Sequence, residues 1–516
     1  MADSDLIATG IAGLDTIFLG GIRRGNLILV EGAPGSGKSL LGLEFIYRGA
    51  TLSNEPGLIV VFETDPDMLL RDAAAFGWDF AALQQQHRLT IIVTSPQVLD
   101  QELRAPDSVL LQTARDMGAR RIFIDSIALL RAADGPTPAA VFNGPGSYRA
   151  LLQQLLDGLR REHLTGMVTH ETGVHGEPAL TLEVAETLAD TVIVLQRGRR
   201  ERGVYRTLEI LKSRGQDFDA GEHTLRIQAG QGLEVFRRVQ ADLRNQAPQP
   251  TSTTQRSAIG TAPLDTVMGG GLLEGSITLV VGVSGSGKSI LGYQVAVEGA
   301  TRLGKRSLVV SLDEHPAQIL RNAELLGLGM QAQVEAGLVH LFHDSPLEVE
   351  VDVHYARLCQ TMEAQQIERL VVDGLTTIRN ALHDDRRFRE FVHGLLAFTK
   401  ARRITTLLCY ETPEVFGVSR FMPDAGVSSI VDNIILLNFV ELGNQLHRAM
   451  TVVKARGSAH PLVTREYQIG PGGLTLTPLP DGRLPLSQPF GQYYNLVSRA
   501  PTRVPRHDPD LDPDRP

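Results

Sequence analysis

The 516-residue chain carries 50 Lys and Arg against 59 Asp and Glu, a net charge of −9 with a pI near 5.9. That balance argues against a protein whose main task is coating nucleic acid. Two cysteines, Cys359 and Cys409, lie 50 positions apart in apolar or helical surroundings, which rules out a disulfide scaffold and argues against zinc.

The first residues, MADSDLIATG, lack a charged-then-apolar signal pattern. No apolar run has the length of about 18 residues that a membrane span needs, so a cytoplasmic protein without membrane contact is expected. Thr9-Gly10-Ile11-Ala12-Gly13-Leu14-Asp15 is followed by Gly20-Gly21. The apolar run Leu27-Ile28-Leu29-Val30 predicts a strand, and Leu40 to Phe45 reads as a helix. Between them, Gly32-Ala33-Pro34-Gly35-Ser36-Gly37-Lys38-Ser39 spells G-x-x-x-x-G-K-S, the phosphate-gripping P-loop in its required strand–loop–helix setting. The backbone N–H groups of Gly32, Gly35, Ser36 and Gly37 would cradle the phosphates of ATP. Lys38 would reach the β- and γ-phosphates, and Ser39 would offer its hydroxyl to Mg²⁺.

Further strands are predicted at Leu58–Phe62, Arg121–Ile124, Gly166–Val168 and Thr191–Leu195. Their near-continuous apolar character suits parallel strands covered on both faces. Two of them end on acids. Asp125 matches the Walker B position that holds the Mg²⁺ water shell, and Glu63 could orient or deprotonate the group attacking the γ-phosphate. Lys212 and Arg214 alternate along a late strand, so both face one side. In ring ATPases such a pair meets the next subunit's γ-phosphate.

The same series recurs 250 positions later. Ile259 to Asp265 and Gly269-Gly270 precede Ile277–Val281 and a second P-loop, Gly282-Val283-Ser284-Gly285-Ser286-Gly287-Lys288-Ser289. Strands follow at Ser307–Val310, Leu370–Val372, Thr406–Leu408 and Asn433–Leu437. Asp373 is the second Walker B acid, and Asp313 and Glu314 together occupy the position of Glu63, their roles not separable from sequence. Lys454 and Arg456 repeat the Lys-x-Arg pair.

Self-similarity over so long a period is tandem duplication of a whole domain. Residues 1–240 and 257–485 are read as two α/β P-loop NTPase domains, each a mostly parallel sheet with helices on both faces. The polar segment 241–256 is the linker. The tail 486–516, ending in a run of Pro, Asp and Arg, is expected to be disordered.

The lead "TGIAGLD…GG", "VFETDPDMLLRDAAAFGWD", "LDEHPAQILRNAELLG", "LEILKSRG" and "VVKARGSAH" resemble the KaiC family of double RecA-type ATPases and autokinases. The resemblance covers about residues 5–470. It implies two tandem RecA-like domains, a two-tiered homo-hexamer with ATP between subunits, hydrolysis in the first tier and self-phosphorylation in the second. "AGVSSIVDNIILLNFVE" resembles the family's acceptor segment, which places Ser428 and Ser429 at the phosphoacceptor pair. It also implies a KaiB-like or response-regulator partner.

The chain departs from the family in several places. Glu63-Thr64 and Asp313-Glu314 replace paired glutamates, Ser429 replaces the second acceptor threonine, and Pro423 replaces a further regulatory threonine. The region after about Gly470 does not resemble the tail that engages KaiA, which puts KaiA dependence in doubt. Two other functions are open. A RecA- or DnaB-like nucleic-acid motor would need basic loops facing a ring centre, whereas Arg131–Gly146 is Pro/Gly-rich and Asn380–Arg389 is mixed in charge. An ATP-stabilised scaffold would need the nucleotide for assembly alone.

Overall fold

The computed structural model describes residues 5–62, 65–104, 108–127, 148–172, 179–200, 203–240, 254–345, 350–382, 384–412, 430–442, 445–458, 460 and 463–477. Glu63, Ser428, Ser429, the segment Arg131–Gly146, most of the linker and the tail lie outside them. The chain divides into two units at Asp242 and Leu243.

In the first unit a short ribbon pairs β1 (Leu6–Ile7) with β2 (Ile22–Arg23). The main sheet contains β3 (Leu27–Gly32), β4 (Gly57–Phe62), β5 (Leu89–Thr94), β6 (Arg121–Asp125), β7 (Thr165–Glu171), β8 (Thr191–Arg200), β9 (Gly203–Ser213), β10 (His223–Gln228) and β11 (Gly232–Phe236). Their order is β11-β10-β9-β8-β3-β7-β6-β4-β5. From β8 to β5 neighbours run parallel, while β9, β10 and β11 extend that edge antiparallel.

The sheet is buried on both faces because alternate residues of each strand face opposite ways. Ile28, Val30, Ile59, Val61, Phe123 and Ile193 pack into one core with Leu41, Phe45 and Ile46 of the helix Lys38–Leu52. Leu27, Leu29, Leu58, Val60, Ile122 and Ile124 pack into the other with Leu152, Leu155 and Leu159 of the helix Tyr148–Arg161.

The second unit repeats this plan. After β12 (Arg256–Ser257) and β13 (Leu272–Leu273) come β14 (Ile277–Gly282), β15 (Ser307–Ser311), β16 (Val339–His343), β17 (Arg369–Asp373), β18 (Thr405–Glu411), β19 (Asn433–Leu442), β20 (Gln445–Ala455), β21 (Thr464–Gly470) and β22 (Gly473–Leu476). The sheet order is β16-β15-β17-β18-β14-β19-β20-β21-β22, strand for strand that of the first. The predicted fold class is therefore the observed one. The antiparallel edge is a feature that apolar runs alone did not reveal, because β9 and β20 mix exposed and partly buried residues with buried ones.

A buried arginine opens each Walker B strand. Arg121 bonds to Glu55 at 2.7 Å and to the carbonyls of Ala8 at 2.8 Å and Phe45 at 3.0 Å. Arg369 bonds to the carbonyls of Val295 at 2.6 Å and Ala258 at 3.2 Å. Each guanidinium fastens the lead segment and the P-loop helix to the strand that ends on Asp125 or Asp373.

Candidate nucleotide site

In both units the P-loop leaves the carboxyl end of the central strand. Gly37 and Gly287 stand at the start of the helices Lys38–Leu52 and Lys288–Leu303 with φ of 110° and 94°, a left-handed conformation that a side chain would strain. A Cβ at Gly32 would stand 2.4 Å from the Leu195 carbonyl oxygen, and one at Gly282 would stand 2.4 Å from that of Leu437. Only glycine lets the loop start so close to the neighbouring strand. Gly35 and Gly285 are also left-handed, and Ser36 and Ser286 are buried. The open helix N-terminus adds partial positive charge toward an anion.

Each P-loop lysine is held within its own loop. Lys38 Nζ donates to the carbonyls of Gly32 at 2.8 Å and Ala33 at 3.0 Å. Lys288 Nζ donates to the Val283 carbonyl at 2.8 Å and reaches Glu411 Oε2 at 3.3 Å. Burial pulls the Lys38 ammonium below its ordinary range, opposed by the carboxylates of Glu171 and Asp125.

Glu171 and Glu411 are functional candidates that the sequence reading missed. Each ends the strand beside the P-loop strand, and the parallel registers set Gly32 opposite Glu171 and Gly282 opposite Glu411. A signal was present, since Thr169-His170-Glu171 and Cys409-Tyr410-Glu411 end apolar runs on an acid in both copies. The pattern is the same as that of Asp125 and Asp373.

Asp125 ends β6 and accepts a short hydrogen bond from Thr169 Oγ1. Asp373 ends β17, is buried, and hydrogen-bonds to Ser289 of the P-loop. A carboxylate joined to the P-loop serine fits Mg²⁺, which takes few protein ligands and keeps waters and phosphate oxygens. Among the described residues no group of three or more His, Cys, Asp or Glu side chains is placed to hold a metal ion. Burial raises the Asp373 carboxyl above its ordinary range, and Glu314 and Asp313 add to that while Ser289 and Tyr293 oppose it. The Cys409 thiol is likewise pushed well up, by burial first and by Asp373 second.

The structure separates the two acids that the sequence left together. Glu314 turns inward. Its Oε2 accepts from Tyr293 Oη at 3.4 Å and Asn322 Nδ2 at 3.3 Å. The same tyrosine hydroxyl lies 3.3 Å from Asp373 Oδ2. Asp313 is exposed, and its Oδ1 accepts from Thr377 Oγ1 at 2.7 Å. The first unit has Leu43 where the second has Tyr293, so this network is confined to the second. Downstream, Asp65 caps the helix Pro66–Ala74 and His315 caps Pro316–Leu325, each with proline in the first turn.

The Lys-x-Arg pairs have partners within their own units. Lys212 Nζ donates to the carbonyls of Glu186 at 2.9 Å and Ala189 at 2.7 Å, and Arg214 Nη2 to that of Thr187 at 2.9 Å. Lys454 Nζ donates to the Val431 carbonyl at 2.7 Å, and Arg456 lies 3.6 Å from Asp432. The first pair thereby caps the C-terminal end of the helix Ala179–Leu188. Lys212 is level with Val192, which lies beside Leu29, whereas Leu195 lies beside Gly32. Three residues of strand, about 10 Å, therefore separate the pair from its own P-loop.

Comparison with known proteins agrees with this architecture. A family model described as the KaiC ATPase matches residues 7–240 and 258–481. The circadian clock oscillator protein KaiC of Picosynechococcus sp. is 30% identical over 507 residues, covering 96% of this chain and 92% of that protein. KaiC of Synechococcus elongatus is 30% identical over 505 residues, with the same coverage of 96% and 92%. KaiC of Thermostichus vulcanus is 29% identical over 512 residues, covering 98% and 93%. Two family matches, one per unit, coincide with the two sheets and the two P-loops, and the chain belongs to the KaiC family of ATPases.

Proposed function

We propose that this chain is a cytoplasmic Mg-ATP-dependent homo-hexamer whose first unit hydrolyses ATP and whose second unit phosphorylates its own chain on Ser428 and Ser429. The observation that carries this reading is the arrangement of the two acids after β15 in the second unit. In the first unit Glu63, the acid after β4, would position water. In the second, Asp313 holds a hydroxyl while Tyr293 ties Glu314 to Asp373, an arrangement suited to an alcohol acceptor rather than water. When bound, Mg²⁺ supplies charge neutralisation at the phosphates. Ser39 with Asp125, and Ser289 with Asp373, would hold it.

Ring assembly is supported by the distance of Lys212, Arg214, Lys454 and Arg456 from their own P-loops. Cations placed that far along the sheet serve a neighbour's phosphates more readily than their own. The proposal includes a partner of the KaiB-like or response-regulator kind, with the chain acting in signalling or timing; membership of the family supports this. KaiA dependence is not part of the proposal.

Incubation with ATP labelled at the γ-phosphate tests the reading. Label on the protein together with free phosphate supports it, and Ser428→Ala/Ser429→Ala should lower the protein-bound label. Phosphate release without any label on the chain would reduce it to a plain ATPase. Release that rises steeply with single-stranded DNA would favour a nucleic-acid motor instead.

A further inference from the structure

Thr376 and Thr377 lie in the first turn of the helix Leu375–Leu382, directly after Asp373 and Gly374. The matching positions of the first unit are Ala128 and Leu129, so this hydroxyl pair belongs to the second unit alone. The two threonines are bonded differently. Thr376 Oγ1 accepts from the Glu411 backbone N–H at 2.8 Å and donates to the Glu411 carbonyl at 3.2 Å. Its proton is committed to a backbone acceptor, and its role is to tie the helix to β18. Thr377 Oγ1 donates to Asp313 Oδ1 at 2.7 Å. That is a hydroxyl and a carboxylate at the separation required of a nucleophile and its base.

The pair stands at the phosphate end of the sheet. Ser311 is the register partner of Asp373, so Asp313 lies two residues beyond the level of the metal acid. Asp313 packs over Gly374, where a Cβ would stand 2.5 Å from Oδ2. On the other side, Thr376 fixes the backbone of Glu411, whose carboxylate lies 3.3 Å from Lys288 Nζ. Asp313 is exposed and Thr377 partly so, which leaves the pair open to an approaching phosphoryl group.

We infer that Thr377 is an intramolecular phosphoacceptor of the second P-loop, with Asp313 as its base; this rests on the kinase reading above. In the transfer, Thr377 Oγ1 bonds to the γ-phosphorus of ATP. The bond from that phosphorus to the β–γ bridging oxygen breaks, and ADP leaves with the electron pair. The Oγ1 proton passes to the Asp313 carboxylate. The product carries about −1.5 to −2 charge beside Asp313 and Glu411. Like-charge repulsion then weakens binding of the next ATP, so the mark limits its own site.

The test is phosphopeptide mapping of the full-length Ser428→Ala/Ser429→Ala protein after incubation with Mg-ATP. The expected result is phosphothreonine at 377 with none at 376. It should disappear in Thr377→Ala and become phosphoserine in Thr377→Ser, a variant that keeps the hydroxyl and therefore decides the matter if the alanine variant misfolds. Asp313→Asn should slow its appearance by about 10²–10⁴-fold, the typical cost of losing a placed base. Phosphate on Ser428 or Ser429 of the wild type, with none at 377 in the double variant, would overturn this inference and leave the kinase reading standing. No phosphate anywhere on the wild-type chain while ATP is consumed would overturn both. Phosphothreonine at 377 that forms at the wild-type rate in Asp313→Asn would overturn the role of Asp313.

Discussion

Lys288 and Glu411 form an ion pair of 3.3 Å because β14 and β18 pair in a register that sets Gly282 directly opposite Glu411. The lysine that should meet the γ-phosphate is therefore shared with a carboxylate of its own unit. Half of the Glu411 side chain is exposed, so the pair is worth about 1 kcal/mol or less. Glu411→Gln should tighten ATP binding at the second site by up to about 5-fold, since the amide neither competes for the ammonium nor repels the phosphates. Titration with ATP in a Lys38→Ala background measures this, and weaker binding in the variant would show that Glu411 assists the nucleotide.

Two complete P-loops predict two nucleotides per chain. Lys38→Ala and Lys288→Ala should each remove one, since each lysine is the cation of its loop. Equilibrium dialysis with a nonhydrolysable ATP analogue counts them, and a wild-type value of one would contradict two working sites.

Lys212→Ala/Arg214→Ala carries two separable costs. Loss of the bonds to the helix end at Glu186, Thr187 and Ala189 should lower stability by about 1 kcal/mol, visible as a small fall in melting temperature. On the proposed role toward a neighbour's phosphates, loss of the two cations should slow ATP hydrolysis by about 10³-fold or more. A variant that melts slightly earlier yet turns over ATP at the wild-type rate would assign the pair a structural role only. Light scattering with saturating Mg-ATP gives the oligomeric state.

Glu63→Gln should suppress phosphate release about 10²–10⁴-fold while self-labelling continues. Equal release by variant and wild type would remove Glu63 from the hydrolytic role.

Glu31 lies on β3 immediately before the P-loop, buried, and its carboxyl is pushed up to about 8 by burial first and by Glu186 second. A carboxyl raised in the folded state favours folding while it is protonated. Its stabilising effect is complete below the unfolded value near 4.5 and is lost as pH rises toward 8. Glu31→Gln, which keeps the neutral shape, should melt several degrees above wild type at pH 8–9, with the gap closing near pH 5. Melting curves across that range check the sign, and a gap that widens on acidification would contradict it.

The chain's local chemistry was enough to reveal the two P-loops and the duplicated, mostly parallel sheets, and to mark Asp125, Asp373 and the Lys-x-Arg pairs as candidates. A phosphate loop needs contiguous glycines, a lysine and a hydroxyl between a strand and a helix, all within eight residues that can be read in order. Buried parallel strands announce themselves as apolar runs for the same reason of local composition. Tertiary structure alone decided what those groups touch. Glu411 lies 123 residues from Lys288, and only strand register brings them together. Asp313 and Glu314 are adjacent in sequence, yet the turn after β15 sends one out to Thr377 and the other in to Tyr293. Lys212 and Arg214 were legible as a pair facing one way, but that they cap a helix about 10 Å from their own P-loop depends on the hairpin of β8 and β9. Side-chain type follows from sequence, whereas distance between remote side chains follows from register and burial, which the whole sheet sets at once.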